Sequence, residues 1–292
     1  MVLTGWRTFL AVHRLGSLSA AAAELGYTQS AISRQVAALE REVGVALVER
    51  QARGVAPTAA GEVFAQHARG VLAAADRAVR ATREAAAGRG MVAVGATPSA
   101  AAGLVPVALQ GLEAAWTLAT GLTAELEDLV ATGVLDLAVV TDAPPGLGAD
   151  ARLERHRLGD DVMHVVVPLG HPAARAAPTS LAAFAGEVWA EDNEGSAALL
   201  RAAAATAGFA PRLELAAADL AGKVALVAAG HAVALVPGLL VPALRRDVVA
   251  VAVPDAPRRA ILASVPAGRE WGEPVRALLG RLSAALGTPS SG

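Results

Sequence analysis

The chain has 292 residues, enough for two or three domains with separate cores. It contains no cysteine, which excludes disulfide frameworks, thiol nucleophiles and Cys-ligated zinc. Its mean hydropathy of +0.46 comes mostly from alanine, and with no run of about eighteen large apolar residues it predicts a soluble chain without a membrane span. The net charge of -2 is unevenly spread: through residue 90 eleven arginines face seven acids, giving +4, and the fourteen bases and twenty acids beyond give -6. A basic front end suits nucleic acid, and it equally suits a solvated face with no partner. Met1 to Leu10 lacks a basic start followed by a long apolar stretch and a cleavage site, so the chain is expected to stay in the cytoplasm.

Leu3, Trp6, Phe9, Leu10 and His13 recur at helical spacing, and Gly16 then ends this first helix. Ser17 caps a second helix, about Leu18 to Leu25, and Gly26-Tyr27 forms a short turn before Thr28 caps a third. Two helices joined by a short glycine turn are a helix-turn-helix signature. On the third helix Ile32, Val36, Leu39 and Val43 predict one buried face. The opposite face carries Thr28, Gln29, Ser30, Ser33 and Arg34, hydrogen-bonding groups near a helix start, where a recognition helix meets base edges. Ala46 to Glu49 and Val55 to Ala56 flank a turn and read as a hairpin wing, with Arg50 and Arg53 suited to phosphates.

A long helix starts at Thr58 and runs to Gly88-Arg89-Gly90. Phe64, Ala68, Val71, Ala75 and Val79 make an apolar seam that predicts dimerisation, with packing on the same chain as the alternative. From Met91 onward short apolar strands alternate with helices, as at Val92 to Ala96, Leu135 to Thr141, Val162 to Val167, Ala232 to Val236 and Val248 to Val253. This is an α/β pattern.

Phe9, Gly16-Ser17-Leu18-Ser19-Ala20-Ala21, Leu25, Gln29-Ser30-Ala31-Ile32-Ser33-Arg34-Gln35, Leu39-Glu40, Gly44, Leu47, Arg50 and Thr58-Ala59-Ala60-Gly61 together resemble the LysR-type transcriptional regulators. Val48 departs from the phenylalanine usual there. The resemblance implies an α/β protein overall: a mainly α winged helix-turn-helix at 1–58, a linker and dimerisation helix at 59–89, an effector-binding domain at 91–286 and a tail at 287–292. The effector domain resembles two-lobed periplasmic solute-binding proteins. Its landmarks are Val94-Gly95-Ala96-Thr97-Pro98-Ser99, Gly170-His171-Pro172 and Ala229-Gly230-His231-Ala232. By resemblance the first lobe spans 91–158 plus 264–286 and the second 159–263.

Thr97 and Ser99 stand at a strand-to-helix junction, where backbone N–H groups and a hydroxyl suit an anionic effector such as a carboxylate. Thr123, Asn193 and Ser196 are the next candidates, and all five also read as helix caps. The family normally has a proline and a fuller second strand between the helix expected to end near Trp116 and Gly121. Thr117 to Thr120 is shorter, which predicts an altered first-lobe sheet or cleft.

Gly88-Arg89-Gly90 precedes a strand rather than following one, Gly222-Lys223 lacks the rest of a phosphate loop, and the six histidines are scattered. No metal, no cofactor and no enzyme activity are expected. The expected partners are double-stranded promoter DNA bound at an inverted repeat, a small-molecule effector, a second or further copies in a homodimer or homotetramer, and RNA polymerase. The competing readings are a regulator that acts constitutively with a lost effector site, and a solute-binding module.

Overall fold

The computed structural model describes residues 2–51, 54–86, 90–176 and 180–287. The chain divides into two compact units, the first covering residues 1–87 and the second most of the remainder.

In the front unit α1 (Val2–Leu15) inserts Phe9, Ala11 and Val12 into a core shared with α2 (Leu18–Leu25) and α3 (Gln29–Val43). Both short helices start where their sequence provides a cap: Ser17 Oγ accepts from Ala20 N–H at 3.2 Å, and Thr28 Oγ1 accepts from Ala31 N–H at 3.2 Å. Ile32, Val36 and Leu39 are buried as the period predicts, but Val43 is exposed, because the helix ends there and Gly44 turns the chain away from the core. β1 (Val48–Gln51) and β2 (Gly54–Pro57) pair antiparallel as the wing. Glu40 fixes the base of the wing by accepting from Leu47 N–H at 2.8 Å and Val48 N–H at 3.1 Å.

Helix α4 (Ala59–Ala86) starts at Thr58, whose Oγ1 accepts from Gly61 N–H at 3.0 Å. The seam expected along it divides. Phe64 packs edge-on against Trp6 and Phe9, at ring separations of 5.0 and 5.3 Å, and Ala68 is fully buried. Phe64 thus packs on α1 of the same chain, the alternative to a dimer seam at that position. Val71 and Val79 remain exposed and Ala75 half-buried.

The rear unit begins with β3 (Gly90–Ala96), α5 (Pro98–Gly103), α6 (Val105–Leu109), β4 (Ala114–Thr120), α7 (Thr123–Ala131) and β5 (Leu137–Thr141). β4 and β5 flank β3 in parallel, as αβ crossovers require. The sequence expectation at Trp116 is corrected here. The helix ends at Leu109, Trp116 lies inside β4, and β4 pairs with β3 over all seven residues from Gly90↔Ala114 to Ala96↔Thr120. β4 is the edge strand of the first-lobe sheet, in the order β4-β3-β5.

The 16-residue β6 (Leu153–Pro168) carries the chain from one lobe to the other. There follow β7 (Val188–Glu191), α8 (Glu194–Thr206), β8 (Arg212–Ala216), α9 (Leu220–Ala228), β9 (Ala234–Pro237), a 3-10 helix Gly238–Ala243, β10 (Val248–Val251), β11 (Arg258–Pro266) and α10 (Glu273–Gly287). Up to Val162, β6 pairs with β11 in the first lobe; from Met163 onward it pairs with β9 and β10 in the second. The return crossing comes at Arg258, earlier than the expected boundary at 263–264, because β11 pairs along its whole length with β6 and through Ile261–Ser264 with β5. Each lobe has its own core, around Leu104, Leu137 and Leu278 in the first and Phe184, Trp189 and Leu235 in the second.

Candidate functional site

Two surfaces concern function. The first is the outward face of α3. Thr28, Gln29, Ser30 and Arg34 are exposed and Ser33 is half-buried, with Ser30 and Arg34 on the side away from the buried Ile32, Val36 and Leu39. Thr28 Oγ1 lies 3.1 Å from Ser30 Oγ, and Arg34 Nε donates to the Ser30 carbonyl at 3.3 Å, which leaves the end of the guanidinium outward. Gln35, beside this face, bonds Thr8 of α1 and ties the helix to its support. Arg50 belongs to β1, while Arg53 lies outside the described residues.

The second is a cavity of about 470 Å³ between the lobes of the rear unit. All five residues expected from sequence line it: Thr97, Ser99, Thr123, Asn193 and Ser196. They meet because each stands at the start of a helix that points a terminus into the cleft. Most of their polar atoms are already engaged. Thr123 Oγ1 donates to the Thr141 carbonyl at 3.2 Å and accepts from Thr141 N–H at 3.3 Å. Asn193 Oδ1 caps α8 by accepting from Ser196 N–H at 2.9 Å, and Ser196 Oγ donates to Glu191 Oε2 at 2.6 Å. Thr97 is the exception: it is buried, and its Oγ1 has no partner among the described residues.

Sequence reasoning missed the charged groups. Lys223, on α9, is completely buried; its Nζ donates to Glu191 Oε2, to Ser196 Oγ at 2.9 Å and to Asp192 Oδ1 at 3.2 Å. Burial pushes the Glu191 carboxyl above the usual carboxylate range, and Lys223 pulls it back only in part. Arg259, on β11, donates from Nε and Nη2 to Asp161 Oδ2 at 3.0 and 2.8 Å, and from Nη2 to Ser99 Oγ at 2.6 Å. A lone lysine inside the apolar run Leu220–Ala228 is the one sequence signal that marks this layer.

Two close approaches bring the lobes together. A Cβ on Gly103 of α5 would fall 1.8 Å from the Leu239 carbonyl oxygen, and one on Gly195 of α8 would fall 2.6 Å from that of Pro144. Among the described residues no group of His, Asp and Glu is arranged to hold a metal, and no helix is long and apolar enough to cross a membrane.

A winged helix-turn-helix followed by a two-lobed α/β unit with a cleft defines a class of two-module proteins that pair a DNA-reading fold with a small-molecule site. The comparisons place the chain within that class. Residues 3–62 match the model of bacterial regulatory helix-turn-helix proteins of the lysR family, and residues 85–287 match the LysR substrate binding domain. The chain belongs to the LysR family. It is 35% identical over 172 residues to the HTH-type transcriptional regulator PcaQ of Agrobacterium fabrum, covering 57% of this chain and 55% of that protein, so the match spans about half of the relative's length. It is 28% identical over 249 residues to the Hca operon transcriptional activator HcaR of Escherichia coli, covering 82% and 83%. The full-length crystal structure of CbnR with its target DNA aligns at a TM-score of 0.79 and 22% identity over 98% of this chain and all of that one.

Proposed function

We propose that this chain is a transcriptional regulator that binds promoter DNA through Thr28, Gln29, Ser30, Ser33 and Arg34, with Arg50 and Arg53 on flanking phosphates, and that an effector in the interlobe cavity sets its regulatory state. The observation that carries the reading is the outward face of α3: short polar groups and an arginine at the amino-terminal end of a helix whose other face is locked into a core. Relatives named as transcriptional regulators, and a structural neighbour captured on its target DNA, support it.

In this reading the modules are 1–58 for DNA, 59–89 for dimerisation and 91–286 for sensing. The dimer forms along Val71, Ala75 and Val79, exposed at the two valines and half-buried at the alanine, and the homodimer or homotetramer matches an inverted repeat in the promoter. The effector contacts Thr97 and Ser99 on one lobe and Asn193 and Ser196 on the other, with Thr123 beside them, and so biases the lobe arrangement. The protein acts by binding rather than by catalysis, in the cytoplasm, and its output passes to RNA polymerase. The pairing of β4 with β3 along its seven residues supports a retained effector site over a lost one.

Genome-wide mapping of DNA bound by the chain tests the proposal. Discrete peaks that share an inverted-repeat sequence are expected, and binding that follows no sequence contradicts it.

A further inference from the structure

We infer that the cleft ligand is a small organic cation whose ammonium group seats against Asp192 and whose apolar body lies against Leu122, Met163 and Leu199. This rests on reading the cleft as the effector site and names the chemistry of its occupant.

The cavity holds two cations, and neither is left for an anion. Arg259 is matched by Asp161, whose side chain is 3% exposed. Lys223 faces two carboxylates, Glu191 and Asp192, so with Glu191 ionised this wall carries a net charge of -1. Glu194 at the rim is cancelled by Arg201 at 2.6 Å. A carboxylate entering the cleft would therefore be repelled at the lysine wall, and an ammonium would complete it.

A buried hydroxyl of the first lobe is open to the same group. Thr97 lines the cavity, is 6% exposed, and its Oγ1 has no partner among the described residues. A hydroxyl oxygen has lone pairs that can accept from an entering N–H. An ammonium brings three N–H donors and no acceptor. The lining also holds Leu122, Met163, Leu199 and Leu220 together with prolines and alanines, and no aromatic ring, which suits a compact alkyl body.

Calorimetry on the full chain with cyclohexylmethylamine, cyclohexanecarboxylate and cyclohexanecarboxamide tests the inference. The amine is expected to bind at least about tenfold more tightly than the other two, a preference of about 1.4 kcal/mol. Asp192→Asn should remove that preference. Thr97→Val, which touches no ion pair, should weaken the amine several-fold and serves as the check if Asp192→Asn fails to fold. Carboxylate binding equal to or tighter than amine binding, and lost when Ala198→Trp fills the cleft, overturns the inference and leaves the effector site standing. Binding that Ala198→Trp does not disturb lies elsewhere and overturns both. Silence from all three probes overturns the inference.

Discussion

Arg259 Nη2 donates to Ser99 Oγ at 2.6 Å while the same guanidinium grips Asp161, and Asp161 Oδ1 accepts from Leu239 N–H at 3.0 Å. One chain of hydrogen bonds thus joins α5 of the first lobe to the 3-10 helix of the second through the strands that cross between them. Arg259→Ala leaves a buried carboxylate at Asp161 without its counter-ion and should cost about 3–5 kcal/mol of stability. Arg259→Lys keeps the charge but loses the planar fork, and should fall between the two. Urea melts check both, and a loss under about 1 kcal/mol for the alanine variant contradicts the relay.

Glu191 makes the second prediction. Its folded pKa is raised, by burial first, from an ordinary value of 4.5, so its contribution to stability is full below that value and is lost as pH rises through the raised one. Glu191→Gln stays neutral throughout and keeps Asp192 beside Lys223. The melting temperature of the variant relative to the native chain should therefore climb as pH rises above 4.5 and then level off. Thermal melts between about pH 4 and 8 measure this, and a difference that does not change with pH contradicts it.

The close approaches of the lobes make the third. Gly103→Ala drives a methyl against the Leu239 carbonyl, which is backbone and cannot swing away, and should destabilise the rear unit by about 1–3 kcal/mol. Gly195→Ala meets the Pro144 carbonyl at the cavity mouth and should alter ligand affinity more than stability. Gly186→Ala, with nothing within 4 Å, is the control and should change neither. Equal behaviour of all three variants refutes the interlobe contact.

The front unit was legible because its signals are local. Ser17 and Thr28 cap the helices that follow them, and the spacing of Ile32, Val36 and Leu39 marks the buried face. The seam on α4 misled, because a periodic apolar stripe does not state what covers it, and Trp6 and Phe9 lie more than fifty residues before Phe64 in the sequence. β4 was hidden for another reason: Ala114 and Ala115 favour a helix locally, and pairing with β3 overrides that preference. The five cleft residues were readable as helix starts, a local property. The ion pairs behind them were not, since Lys223 and Glu191 are 32 residues apart and Arg259 and Asp161 are 98.

The claim that α3 reads bases rests most directly on Arg34, whose guanidinium end faces outward beside Gln29 and Ser30. The decisive measurement is the affinity of the native chain and of Arg34→Ala for a mapped operator and for versions of it with single base pairs changed, all at one salt concentration. The native chain should lose about 1–3 kcal/mol at the base pair that Arg34 contacts, and the variant should bind the operator more weakly and be indifferent to that change. A variant that still discriminates at every position as the native chain does would contradict the assignment of α3 as the reading helix.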